Sequence, residues 1–267
     1  MRRPAPWSRF AFVALVALLV GACASLADRP APPEVRSALA PTGKLRVGVY
    51  PGSPTSLVRH SSGESRGVSV DLGRAFAERL GVPYEQVEFA RLALVLEAMK
   101  AGQVDFTVTN ATPARAAEVD FTAPIVNLEL GYLVAKGSRV NAIADVDRPG
   151  IRVGVAQGST SQGTLSRELK NATVVPAPSL QAAAQMLAKG EIDTFATNKG
   201  ILSEMADSLP GSRILEGRWG LEHLAIAIPK GRGAGLPYVQ KFAEEAKASG
   251  LVQRAAERAG LRGTVTP

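Results

Sequence analysis

Arg115, in the run Thr112-Pro113-Ala114-Arg115, is the residue whose type and setting point most directly to chemistry. A guanidinium stays charged, and its rigid fork donates two parallel hydrogen bonds to a planar anion. The same arginine also suits the exposed first turn of a helix, between Ala114 and Ala116. Gly158-Ser159-Thr160-Ser161 opens a helical pattern that carries Leu165 and Leu169. A loop at that position offers free N–H groups and a positive dipole end to an anion. Ser159 or Ser161 can equally serve as a plain N-cap. Gly52-Ser53-Pro54-Thr55-Ser56, with Tyr50 just ahead, is a comparable loop. Tyr50 and Ser53 are ligand contacts there or ordinary turn residues. Asn110 and Asn198 each close a strand that ends in Thr-Asn.

His60 and His223 are the two histidines, far apart and without cysteine or carboxylate at ligand spacing. No metal site and no cofactor are expected, and there is neither a P-loop nor a nucleophile elbow. Apolar residues make up 46% of the 267 and charged residues 21%, a globular composition. The 31 Lys and Arg, less Arg2, Arg3 and Arg9 of the leader described below, leave 28 against 24 Asp and Glu, a net charge of +4. These charges are scattered, so no nucleic-acid footprint is present. A mild positive field favours an anionic solute.

The elements that must position these residues come as a repeat. Lys44-Leu45-Arg46-Val47-Gly48-Val49 and its Gly-Ser loop are matched by Gly150-Ile151-Arg152-Val153-Gly154-Val155 and the loop at Gly158-Ser159. Gly102-Gln103-Val104-Asp105 through Thr109-Asn110 is matched, in the same order, by Gly190-Glu191-Ile192-Asp193 through Thr197-Asn198. Helical spacing is read over 69–80, 92–100, 180–189 and 242–259, with Gly250 breaking the last. Strands alternating with helices predict largely parallel sheets in two similar α/β lobes. Such sheets bind ligands beyond the carboxyl ends of their strands, where the Gly-Ser loops and Thr-Asn ends fall. Two such edges face to face make a cleft.

The beginning of the chain reads as a leader. Arg2, Arg3 and Arg9 precede the apolar run Phe10 to Val20, which is too short to span a bilayer. Residues 1–22 are expected to be a signal peptide. Val20-Gly21-Ala22-Cys23 resembles the lipobox of bacterial lipoproteins, which makes Cys23 the lipidation site; ordinary cleavage after Ala24 or Ala27 is the alternative. As the only cysteine, Cys23 excludes a disulfide within the chain. Residues 23–42, rich in Pro and Ala, read as a flexible tether.

Taken together, Gly67-Val68-Ser69-Val70-Asp71-Leu72, Thr112-Pro113-Ala114-Arg115, Val119-Asp120-Phe121-Thr122-Ala123-Pro124 and Val153-Gly154-Val155-Ala156-Gln157-Gly158-Ser159-Thr160 resemble extracytoplasmic solute-binding proteins of family 3, which serve polar amino-acid ABC transporters. The resemblance runs from Lys44 to Gly260. It implies a type II periplasmic-binding-protein fold, a Venus flytrap with lobes at 43–133 plus 226–267 and at 134–225. Hinge strands are then expected at 130–136 and 224–230. It also implies that Arg115 grips a ligand carboxylate and that Thr160 and Ser159 meet it from the second lobe, with Asn198 completing the shell. The implied partners are a small polar or anionic solute and an inner-membrane permease, for a monomer held in the periplasm by a lipid on Cys23.

Two departures bear on the ligand. The family places an aspartate where Asn198 stands, to pair with an α-ammonium, and a neutral amide cannot supply that charge. The segment from Asp105 to Arg115 is also about two residues shorter than the family pattern, which leaves the role of Asn110 open. A carboxylate lacking a free amine is thereby an alternative, and Glu129 or Glu222 are acids that could fill the gap, each also a plain surface or hinge residue. Cyclohexadienyl dehydratases share the fold, but the position of their acidic glutamate corresponds to Gln162, which cannot transfer a proton in that role. A protein that presents ligand to a sensor is the third possibility.

Overall fold

The computed structural model describes residues 31–59 and 63–265. The leader, Cys23 and His60 lie outside the described residues. No helix among the described residues is long and apolar enough to cross a membrane.

The first lobe begins with α1 (Pro33–Leu39), β1 (Leu45–Val49), the hairpin β2 (Val58–Arg59) and β3 (Ser65–Arg66), α2 (Val68–Leu80), β4 (Tyr84–Glu88) and α3 (Leu92–Lys100). It continues with β5 (Thr107–Asn110), α4 (Pro113–Ala116) and β6 (Val119–Phe121) before crossing along β7 (Val126–Val134). The second lobe holds β8 (Arg152–Ala156), α5 (Thr160–Glu168), β9 (Thr173–Ala177), α6 (Leu180–Ala188), β10 (Thr194–Asn198), α7 (Lys199–Asp207) and β11 (Arg213–Ile214). The chain returns along β12 (Gly220–Pro229) into α8 (Leu236–Ala248), α9 (Leu251–Arg258) and β13 (Thr264–Val265).

The repeat is physical. In the first lobe β1 lies parallel to β4, and Val47 bridges Phe106 in parallel on the other side. In the second, β8 lies parallel between β9 and β10. The arginine of each repeat makes the same clamp. Arg46 donates from N (3.0 Å) and Nε (2.8 Å) to Asp105 Oδ2 and from Nη2 to Gly102 O (2.6 Å). Arg152 donates from N (2.8 Å) and Nε (3.0 Å) to Asp193 Oδ2 and from Nη2 to Gly190 O (2.6 Å). The glycine two residues on is equally constrained. A Cβ would stand 2.6 Å from Val95 Cγ1 at Gly48 and 2.3 Å from Ile192 Cδ1 at Gly154. Both aspartates that the repeat aligns therefore hold the fold and not the ligand.

Largely parallel sheets hold only within each repeat. The crossing strands β7 and β12 are antiparallel to each other, to β10 and to β5, because they run between lobes without a helical crossover. Their mutual pairing spans Val126–Leu130 and Gly220–Leu224. Beyond it β7 pairs with β10 and β11, and β12 with β5 and β6. The mutual pairing thus ends at Leu130 of β7 and Leu224 of β12, the first residues of the hinge strands expected from sequence, and the pairing partners change there. β13 adds a third strand, pairing with Asn127 and Leu128 of β7.

The core divides accordingly. Leu45, Val47, Phe76, Phe106, Ile226 and Phe242 fill the first lobe, with the Phe76 ring 4.8 Å from Phe242 and 5.6 Å from Phe106. Val134, Val153, Leu165 and Leu215 fill the second. A further cluster joins Tyr50, Val95 and Met99 to Leu180, Leu187 and Phe195 across the cleft.

The tether expected over 23–42 is corrected from residue 31 onward. Pro at the first helical position pre-sets φ for α1. Val35 and Leu39, one turn apart, are buried in the first-lobe core. Arg232 ties the end of α1 down by donating to Leu39 O and to Asp105. The Pro- and Ala-rich composition masked this i, i+4 apolar pair. Leu39→Ala is therefore expected to cost about 2–5 kcal/mol in urea unfolding, where a tether would cost nothing measurable. The last helical region begins at Leu236 instead of 242 and breaks at Gly250, whose φ is +73°.

Candidate functional site between the lobes

A cavity of about 40 Å³ lies between the lobes. The first lobe gives it Tyr50, Thr109, Asn110 and Arg115, the second gives Ser159, Thr160 and Asn198, and β12 gives Glu222. Arg115, Ser159 and Thr160 also border a wider groove of about 740 Å³ that opens between α3 and α5.

Arg115 is fixed by its short helix. Thr112 caps α4 by accepting from Arg115 N at 3.3 Å, and Pro113 starts it. The side chain is buried, not exposed on a first turn, and Nη1 donates to Thr109 Oγ1 (2.8 Å) and Asn110 O (3.1 Å). Burial pulls its pKa below the usual range, while the charge of Glu222 works the other way. Both of those hydrogen bonds use one nitrogen, so the rest of the fork has no partner among the described residues.

The capping residues of the second lobe do two jobs. Ser159 Oγ accepts from Gln162 N at 3.1 Å, which caps the helix and still leaves the O–H as a donor, and the residue lines the cavity. Asn198 caps α7 through Oδ1 (Ile201 N, 3.1 Å) and donates from Nδ2 to Glu222 Oε2 at 2.9 Å. Thr160 Oγ1 donates to Glu222 Oε1 at 3.3 Å and receives Asn110 Nδ2 from the opposite lobe at 3.5 Å. Asn110 Oδ1 accepts from His223 N at 2.9 Å. The shortened segment thus still delivers Asn110 to the cleft.

Ser53 is brought near but not into the cavity. It is fully buried behind Tyr50 and Thr55, with Oγ 2.8 Å from Thr55 Oγ1 and 3.4 Å from the Tyr50 hydroxyl. Its role is turn chemistry, and Thr55 takes the lining position. Tyr50 does line the cavity, and burial raises its phenol above the usual range.

Glu222, one of the two acids considered for the gap left by Asn198, lines the cavity. It is buried, both oxygens accept hydrogen bonds, and burial raises its pKa despite the nearby Arg115. The signal was present in sequence: Glu222 shares strand phase with Leu224, Ile226 and Ile228 of β12, all buried. Glu129, the other candidate, is excluded. It pairs with Lys199 and Arg218 outside the cavity. Arg91, at the start of α3, also lines the cavity and was missed. Gln162 does not line the cavity; its Oε1 accepts from Gly158 N at 2.7 Å and braces the loop. No group of three or more His, Cys, Asp or Glu able to hold a metal occurs among the described residues.

The sequence profile of the bacterial extracellular solute-binding proteins, family 3, matches residues 45–260. The chain is 24% identical to the ABC transporter glutamine-binding protein GlnH of Bacillus subtilis, over 87% of this chain and 89% of that one. It superposes on an ancestral arginine-binding protein bound to glutamine with a TM-score of 0.73 and 28% identity, covering 83% of this chain and 98% of that one. The ancestral amino acid-binding protein AncCDT-1, a precursor of cyclohexadienyl dehydratase, gives 0.71 and 25%, covering 81% and 95%. The profile covers most of the chain, and the chain belongs to the bacterial extracellular solute-binding proteins, family 3.

Proposed function

We propose that the chain is the substrate-binding component of an ABC transporter and captures an α-amino acid by closure of its lobes. The observation that carries this is the presence of one buried guanidinium, Arg115, and one buried carboxyl group, Glu222, in the lining of a single cavity. A zwitterion is the complement of that pair. Its carboxylate meets the guanidinium fork, and its ammonium meets a carboxylate already oriented by Asn198 and Thr160. Asn198 therefore does not argue against an amine; it acts through Glu222. The cavity is lined from both lobes, so a solute held there touches both and shifts the balance toward the closed form.

The leader and Cys23 extend the proposal to an exported, lipid-anchored monomer in the periplasm that docks on an inner-membrane permease. The likeness to the ABC transporter glutamine-binding protein GlnH of Bacillus subtilis supports the partner. The dehydratase alternative is not preferred, because Gln162 stands at the acidic position and is committed to Gly158.

Thermal-shift and calorimetric titration with the common L-amino acids tests the function. At least one should stabilise the fold, by about 2.7 kcal/mol at a hundredfold excess over its Kd. The same amino acid lacking its α-amine should not. Equal binding of the des-amino analogue, or conversion of prephenate or arogenate to an aromatic product by the same sample, would overturn the proposal.

A further inference from the structure

The charges around the cavity do not cancel against a simple zwitterion. Two guanidiniums, Arg91 and Arg115, line it, against the single carboxylate Glu222. The main-chain ends of an amino acid satisfy Arg115 and Glu222 and leave Arg91 over. Arg91 occupies the residue before α3, in extended conformation (φ −160°, ψ 163°), and Leu92 beside it also lines the cavity. Its Nε is buried with no hydrogen-bond partner, and Arg91 enters no ion pair among the described residues. A buried donor left unmet is unfavourable, and an acceptor on a bound solute would relieve it. Ala156, Leu180 and Ile201, which line the same cavity, supply no counter-charge, and the first turn of α3 has no acid. That helix end adds positive potential of its own.

We infer that the solute is an α-amino acid with a second carboxylate, and that Arg91 is the residue that selects it. This rests on the amino-acid function proposed above. Protonation of Glu222 would only enlarge the positive surplus, so the preferred sign of the solute does not depend on that group's state.

Calorimetry of the purified chain with L-glutamate, L-aspartate, L-glutamine, L-asparagine and L-arginine tests this. One of the two acidic amino acids should bind at least about tenfold more tightly than its amide, the size of one charge-assisted hydrogen bond. In Arg91→Gln that ratio should fall toward one. Arg91→Lys keeps the charge without the Nε donor, and it should retain part of the preference, which serves if the glutamine variant does not fold. An amide or L-arginine bound as tightly as the acidic amino acids overturns the inference while leaving the amino-acid function standing. A preference that survives in Arg91→Gln overturns the assignment to Arg91. Binding of none of the five overturns the inference, and binding of no amino acid in the wider panel overturns the parent function with it.

Discussion

Arg115→Ala lowers affinity for the captured amino acid by about thirtyfold to several thousandfold, the equivalent of roughly 2–5 kcal/mol for truncating one member of a buried charge-assisted pair. The magnitude follows from burial: the guanidinium is shielded from water and holds unpaired donors toward the cavity. Removing it leaves the solute carboxylate without the guanidinium fork that it meets in the cavity. Arg115→Lys keeps the charge but not the fork, so its loss should be intermediate. Titration calorimetry reads both, with thermal unfolding of the free variants to show that Thr109 and Asn110, which Nη1 braces, remain in place. Affinity within twofold of wild type for the alanine variant would remove Arg115 from the site.

Glu222→Gln is expected to make the free protein more stable at pH 7 while it weakens capture. The folded-state pKa of this carboxyl is raised, by burial above all. The folded form then binds the proton more tightly than the unfolded chain does. Stability contributed by this group is greatest below the ordinary carboxylate range near pH 4.3 and is lost as pH rises from there through the raised value. The attraction of Arg115 is already included in that net direction, so neutralising the group should relieve more than it forfeits. Glutamine keeps the geometry, since its oxygen can accept from Asn198 and its amide can donate to Thr160. Melting curves taken from pH 4 to 9 should show a flatter profile and a higher Tm at neutral pH for the variant. Amino-acid affinity should fall by about tenfold or more, because an amide cannot neutralise an ammonium. A variant that is less stable at pH 7 and binds as before would show that Glu222 serves the fold and not the ligand.

The repeat was legible because each copy needs the same three things at the same spacing: an arginine to clamp an aspartate, a glycine to admit a neighbouring side chain, and a loop that starts a helix. Arg46 with Asp105 and Arg152 with Asp193 show the requirement met twice. That Arg115, Thr160, Asn110 and Asn198 line the cavity was legible for a related reason, since each lies at or just beyond the end of a strand. Three features were not. α1 was masked by its Pro and Ala content although Val35 and Leu39 are spaced for one face. Glu222 was underweighted because an acid in an apolar strand is usually read as a surface residue, whereas its phase matches the buried one. Arg91 has no local signature at all: only the fold shows that the residue before α3 reaches the cleft with a nitrogen unmatched. Ser53 failed in the opposite sense, because a turn hydroxyl one layer behind the lining looks identical in sequence to one that faces it.

The third strand at the crossing has a consequence for how tightly any guest can be held. β13 lies along β7, Glu129 N is bonded to Gly263 O, and the tail beyond α9 rests on α7, with Arg262 paired to Asp207. A ribbon of two strands can twist and splay in many directions; a third strand laid beside it removes most of them. The unliganded molecule then samples a narrower range of poses, and shutting forfeits less conformational entropy. More of the contact energy survives as affinity, so a modest set of polar contacts can suffice for tight retention.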